Sequence, residues 1–144
     1  MNSAFTDSNV IVKYFAGDVA AKDVLVPVIN YEVEGYINNI VYSEVIYIVI
    51  KLLTRKKAYE LKKNLETVKS TIKMIGKHIE FMQTYFKELE INDEVKQIAI
   101  EVMKEYGLLP NDALIAATCK YHGIDTIMTF DEDFRNVPWL KVIP

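Results

Sequence analysis

Five carboxylates stand where their neighbours make them chemically distinctive: Asp7, Glu44, Asp112, Asp131 and Asp133. Asp7 closes a short apolar opening, Ala4-Phe5-Thr6, and is followed by Ser8-Asn9. Glu44 leads directly into the apolar run Val45–Ile50, which continues to Leu53. Asp112 sits in the first turn of a helix opened by Pro110, whose body, from Ala113 to Cys119, is small or apolar on every side. Asp131 and Asp133 belong to the turn Phe130-Asp131-Glu132-Asp133-Phe134. Singly, each acid has a local role open to it, as a helix cap, a partner of a helix dipole or a turn former. Gathered together they would repel and raise one another's pKa unless a cation offset them. With no His or Cys nearby the ligands would all be oxygen, which suits Mg²⁺ or Mn²⁺. A metal held this way can activate a water and neutralise a phosphodiester during in-line displacement.

Other reaction centres are not assembled. The two histidines, His78 and His122, are far apart and lack Cys partners, so no zinc site is expected. Ser8 and Ser43 have no histidine nearby, and there is neither a G-x-S-x-G elbow nor a Gly-rich phosphate loop.

Whether the acids meet depends on the elements carrying them. The first strand ends at Asp7, and Val10, Ile11, Tyr14 and Phe15 follow at helical spacing as far as Gly17. A second helix is expected over Ala20–Glu32, with Pro27 kinking or restarting it. Gly35–Val41 reads as a second strand, and Ser43 as the cap of the helix through Val45–Leu53, which puts Glu44 in its first turn. From Lys56 to Glu88, the residues Leu61, Leu65, Val68, Ile72, Ile75, Ile79, Met82 and Phe86 make a heptad-like seam. It predicts one or two core-packing helices broken near Gly76, or else a dimerisation arm. Lys87–Ile91 reads as an edge strand, Asn92 or Asp93 as a cap, and Val95–Tyr106 as an amphipathic helix closed by Gly107. Thr126–Thr129 and Leu140–Ile143 read as the last strands.

Strands alternating with helices predict a parallel sheet covered on both faces. In it Asp7 and Asp131 follow strand C-termini, and Glu44 lies near the same edge. The Asp112 helix runs back into a strand, so its N-terminus reaches that edge as well. Ligands of open α/β sheets bind there.

The length of 144 residues without a Pro- or Gly-rich linker predicts one domain, 1–144, with a full core. A net charge of −3 means that nucleic-acid binding would need a local basic patch. The densest one is Lys51, Arg55, Lys56, Lys57, Lys62 and Lys63, near the C-terminal end of the Glu44 helix and so toward the opposite edge from the acids unless the long segment folds back; it also reads as a solvated helix end. Lys13 and Arg135 lie nearer the acids in sequence and are the phosphate-contact candidates. Tyr42 and Tyr47 could stack a base or simply pack. The lone Cys119 fits a reducing cytoplasm, and neither a signal peptide nor a membrane span is expected.

Asp7-Ser8-Asn9, Glu44 before its apolar helix, Asn111-Asp112-Ala113-Leu114-Ile115-Ala116-Ala117 and Thr129-Phe130-Asp131-Glu132-Asp133-Phe134 resemble, in order, the motifs of PIN domains, and the compact size is similar to VapC-type toxins. The resemblance implies a three-layer α/β/α fold with about five parallel strands in the order 3-2-1-4-5. It also implies an Mg²⁺- or Mn²⁺-dependent ribonuclease, commonly a homodimer. Asp7, Glu44, Asp112 and Asp131 match the family's acidic positions, with Asp133 an additional acid. Asn9 matches the residue that orients the first aspartate, and Thr129 a hydroxyl near the fourth. Phe130 departs from the pattern, standing where a polar residue is common. For a toxin, a small antitoxin over the acidic groove is implied. An RNA-processing nuclease would share these motifs, and so would a non-catalytic PIN-like scaffold assembling through the heptad seam. A phosphoacceptor or phosphatase domain on a similar sheet is disfavoured, because Asp7-Ser8-Asn9 lacks a second acid two residues on.

Overall fold

The computed structural model describes residues 2–144. Its first strand, β1 (Asn2–Thr6), passes from an exposed start to a wholly buried end and stops at Asp7, whose side chain caps α1 (Ser8–Phe15). Asp18 caps α2 (Val19–Ile29) by accepting from the Ala21 N–H. That helix begins before the expected Ala20, stops short of Glu32 and carries Pro27 within its last turn. There the missing N–H costs a single hydrogen bond near a fraying end.

The strand β2 (Val33–Asn38) then runs into α3 (Asn39–Thr54) without a loop. Asn38, not Ser43, is the cap: its Oδ1 accepts from the Val41 N–H at 3.1 Å. Glu44 therefore lies in the second turn of α3 rather than the first. The sequence offers two capping residues five positions apart, and the buried one took the role because its amide also reaches Thr118.

The seam from Lys56 to Glu88 resolves into three helices, α4 (Ala58–Lys62), α5 (Leu65–Met74) and α6 (Gly76–Tyr85), before β3 (Phe86–Leu89). Leu61, Ile75, Met82 and Phe86 are buried, but Leu65 and Ile72 are exposed, so the apolar spacing does not form one continuous stripe. Two breaks, at Lys63-Asn64 and at Ile75, rotate successive segments out of register.

The return half is closer to expectation. Asn92 caps α7 (Asp93–Tyr106), accepting from the Val95 N–H at 2.9 Å, and Gly107, at φ 71°, ends it. Next come α8 (Pro110–Tyr121), β4 (Thr126–Met128), a 3-10 helix over Glu132–Asn136 and β5 (Lys141–Ile143).

All four strand pairings are parallel and the order is β3-β2-β1-β4-β5. Right-handed crossovers then place α1–α6 on one face of the sheet and α7 and α8 on the other, giving three layers. The most deeply buried positions, among them Phe5, Ile11, Leu25, Ile115, Ile127 and Phe134, fill both interfaces. No helix among the described residues is long and apolar enough to cross a membrane.

Gly35 marks the tightest approach in the sheet. A Cβ there would fall 2.7 Å from Val28 Cγ1 and 2.8 Å from Phe86 Cδ1. Both neighbours are buried, so neither can move away cheaply. Gly35→Ala is expected to destabilise the fold by about 1–3 kcal/mol, the usual penalty of overpacking, measured by urea melting of the two proteins.

Candidate active site at the C-terminal edge of the sheet

The strand order reverses between β1 and β4, and there the two strand ends open a crevice. Asp7 lies at the end of β1, nearly inaccessible to solvent at 5% exposure. Its carboxylate is held by three donors. The Ser8 N–H and the Thr129 hydroxyl each donate at 2.8 Å, to Oδ1 and Oδ2 respectively, and Asn9 Nδ2 donates to Oδ2 at 3.3 Å.

Thr129, just past the end of β4, is the hub of this arrangement. While donating to Asp7 it accepts from Asn9 Nδ2 at 3.3 Å and from the Asp131 N–H at 3.0 Å. Asn9 in turn accepts the Phe130 N–H at 3.1 Å. The Asp7-Ser8-Asn9 and Thr129-Phe130-Asp131 segments are thus stitched together across the crevice. Asp131 accepts the Asp133 N–H at 2.9 Å and caps the 3-10 helix, which brings Asp133 alongside it.

Asp112 enters from the opposite layer, in the first turn of α8. It, Asp131 and Asp133 each offer a carboxylate oxygen, all within 4.8 Å of one another. Glu44 approaches from α3 and is half-buried. Five acids from four elements therefore share one crevice.

Their electrostatics record the crowding. The Asp112 carboxyl is raised to about 6, first by loss of hydration and then by repulsion from Asp131, Asp7 and Asp133. Glu44 is raised by burial and by Asp7 and Asp112. Burial also raises Asp7, against the opposing effect of the hydroxyl and N–H donors around it. No cationic side chain pairs with any of the five among the described residues. An all-carboxylate cluster at this spacing fits a hard divalent ion, with Asp112, Asp131 and Asp133 the converging set.

The two phosphate-contact candidates are both engaged. Lys13 Nζ lies 4.5 Å above the centre of the Phe130 ring. Arg135 pairs with Glu132 at 2.5 Å and donates to the Pro144 carbonyl at 2.6 Å. The Phe130 position, unusual for the motif, thus supplies a seat for Lys13 beside the acids.

Sequence reasoning missed Asn38 and Thr118. Both are fully buried, and the Asn38 amide donates to the Thr118 hydroxyl at 3.0 Å, tying the start of α3 to the middle of α8. This link fixes the helices that bear Glu44 and Asp112 relative to each other. Its one visible signal is an Asn ending an apolar strand.

A doubly wound α/β protein with a carboxylate-lined crevice at its switch point is the class that fold and site define. The family profile for the PIN domain matches residues 4–140. Ribonuclease VapC2 of Methanocaldococcus jannaschii is 41% identical over 143 residues, covering 99% of this chain and 93% of its own. Ribonuclease VapC6 of the same organism is 38% identical, covering 99% and 97%. The chain belongs to the PIN domain family, among its VapC-like members. Solved structures share the fold at lower identity. FitAcB from Neisseria gonorrhoeae superposes with a TM-score of 0.65 at 20% identity, covering 98% of this chain and 96% of that one. VapBC2 from Rickettsia felis, bound to a promoter DNA fragment, has a TM-score of 0.65 at 17% identity and covers 98% and 97%.

The raised Asp112 carboxyl has a thermodynamic consequence. Its folded-state pKa of about 6 exceeds the 3.8 of an unfolded aspartate. The stability it contributes is therefore full below pH 3.8 and is lost as pH rises through about 6. Asp112→Asn is expected to melt with the wild type near pH 4 and a few degrees above it at pH 7.5 in metal-free buffer. The gain is on the order of 1 kcal/mol once screening of a half-exposed group is allowed for. Calorimetry across that range checks it.

Proposed function

We propose that this chain is a metal-dependent endoribonuclease, the toxin of a type II toxin–antitoxin pair, with residues 1–144 acting as one nuclease domain. The observation that carries the reading is the unpaired acid cluster at the switch point, Asp7, Glu44, Asp112, Asp131 and Asp133. The ribonuclease names of its two VapC relatives support it.

In this reading Asp7, Asp112, Asp131 and Asp133 hold Mg²⁺ or Mn²⁺, and Glu44 either joins them or orients the attacking water. The bound ion would supply a nucleophilic water at neutral pH and offset the charge of the phosphate. The chain's own residues supply the rest. Asn9 and Thr129 hold the Asp7 carboxylate in position by donating to it. Where Glu44 orients the water rather than the ion, it would also take that water's proton as the new P–O bond forms. The opposite P–O bond breaks in line, and the departing ribose oxygen takes a proton from solvent and leaves as an alcohol. Lys13, seated on Phe130, faces a phosphate beside the cleavage point.

An antitoxin covering the crevice, a homodimer and a cytoplasmic setting complete the proposal. The structures that share the fold include toxin–antitoxin complexes, which supports an antitoxin partner. The scaffold alternative loses its continuous heptad seam to the helix breaks at Asn64 and Ile75.

The test is hydrolysis of structured RNA by partner-free protein with Mg²⁺, Mn²⁺ or EDTA. Asp7→Asn and Asp112→Asn are each expected to lose at least about 100-fold in rate, comparable to removing a principal electrostatic group from a hydrolytic site. EDTA should silence the wild type, and Mn²⁺ should restore it. Equal cleavage by wild type and both variants would refute the assignment.

A further inference from the structure

Charge is segregated along this chain to a degree its net value hides. Residues 51–77 hold nine Lys and Arg against only Glu60 and Glu66, a surplus of seven positive charges in a protein of net charge −3. Among the described residues only Lys69 of the nine is in an ion pair, with Glu66 at 3.2 Å. Attraction to the C-terminus of α3 accounts for Lys51 and Arg55 but not for Lys57, Lys62, Lys63 or Lys73 beyond it.

The register of α3 joins this basic segment to the acid cluster. At 3.6 residues per turn, Lys51 lies two turns from Glu44, about 20° around the axis and about 10 Å along it. Tyr47 lies between them, 41% exposed, and Lys51 Nζ sits 4.7 Å over its ring. Arg55 follows as the exposed C-cap, turning the chain toward α4. One face of α3 therefore reads acid, exposed aromatic, cation, cation, beginning at the acids. Beyond Tyr47 is an open groove of about 660 Å³ between α3, α4 and α5, its walls mostly apolar (Ile50, Leu61, Leu65 and Val68), with Lys62 and the Glu66-paired Lys69 beside them.

We infer that this face is the path by which single-stranded RNA leaves the acid cluster, an inference that rests on the ribonuclease reading above. One base takes the face of Tyr47 that Lys51 Nζ covers in the free protein, and Lys51, displaced from the ring, engages successive phosphates together with Arg55. The basic α4–α5 segment carries the strand onward. An aromatic platform interleaved with cations is the chemistry of sequence-tolerant single-strand binding, whereas a duplex keeps its base faces occupied. The occupant is assigned to polyanionic RNA because the surface has uncompensated positive charge and a stacking ring in line with the candidate scissile site.

The test uses full-length protein carrying Asp112→Asn to keep the RNA intact, and a fluorescein-labelled 12-nucleotide single strand read by anisotropy. Adding Lys51→Ala with Arg55→Ala should weaken binding about tenfold at 100 mM salt. It should also flatten the slope of log affinity against log salt by about 1.4, or about 0.7 for each phosphate the protein no longer neutralises. Tyr47→Ala should weaken binding by about tenfold while Tyr47→Phe retains it, and melting temperatures should stay level. The same strand annealed to its complement should bind less tightly. The charge-matched pair Lys96→Ala with Lys104→Ala, on α7, should bind as the parent does. Weakening no greater than that of the α7 pair, or binding unchanged by all variants, would overturn the inference and leave the face to a protein partner. A denaturing gel of the same samples reports separately on the ribonuclease reading: RNA cut by the Asp112→Asn protein would refute that reading whatever the anisotropy shows.

Discussion

The interaction on which the rest of the crevice depends is the anchoring of a nearly buried carboxylate, Asp7, by the Thr129 hydroxyl. Burying a carboxylate without partners costs several kcal/mol, and Thr129, the Ser8 N–H and Asn9 offset part of that cost for Asp7, whose pKa is still raised by burial. Thr129 donates its single proton to Asp7, so its lone pairs are free for Asn9 and for the Asp131 N–H. The hydroxyl therefore sets the ends of β1 and β4 in register with each other and, in the same act, points Asp131 into the crevice. A valine of equal shape could do none of this.

The sheet order makes that meeting possible. β1 lies at the centre with β2 and β4 as neighbours, and the chain goes to one side of β1 first and the other side later. Helices from opposite faces consequently deliver Glu44 and Asp112 to a single line between β1 and β4. The buried Asn38–Thr118 bond braces the two helices across the sheet edge. Residues far apart in sequence thus reach one place through topology alone, while their fine positions come from a handful of short polar contacts.

That division explains what could be read from the sequence. The edge occupied by the acids follows from periodicity and turn residues, which are local signals, and the strand order from the motif resemblance. Gly107 is legible as a helix boundary because nothing competes with it, whereas the preceding cap is legible only as Asn92 or Asp93. The sequence places Glu44 a turn too early because Asn38 and Ser43 both suit a cap, and only the long-range Thr118 contact decides between them. The seam through Leu61–Phe86 is a true spacing of apolar residues, yet a heptad requires one unbroken helix. The Asn64 cap and the break at Ile75 deny it that continuity. The engagement of Arg135 by Glu132 is equally hidden, since an i, i+3 pair inside a 3-10 turn looks like any charged loop.

The distribution of cations follows from the same electrostatic constraint. A lysine or arginine inserted among the five acids would neutralise them and compete with any divalent ion for the crevice. Cations needed for a polyanion must therefore stand off or be restrained. Lys13 is restrained by the Phe130 ring and Arg135 by Glu132 and the Pro144 carbonyl. Lys51 stands off by about 10 Å along α3, beyond the Debye length of about 8 Å at physiological salt. At that separation it exerts little pull on the carboxylates, yet it remains within reach of the next phosphates of a strand passing over Tyr47. The acid cluster thus accounts for the otherwise odd concentration of positive charge in α3–α5: the charge that would attract a nucleic acid is excluded from the crevice and collects on the nearest helix face leading away from it.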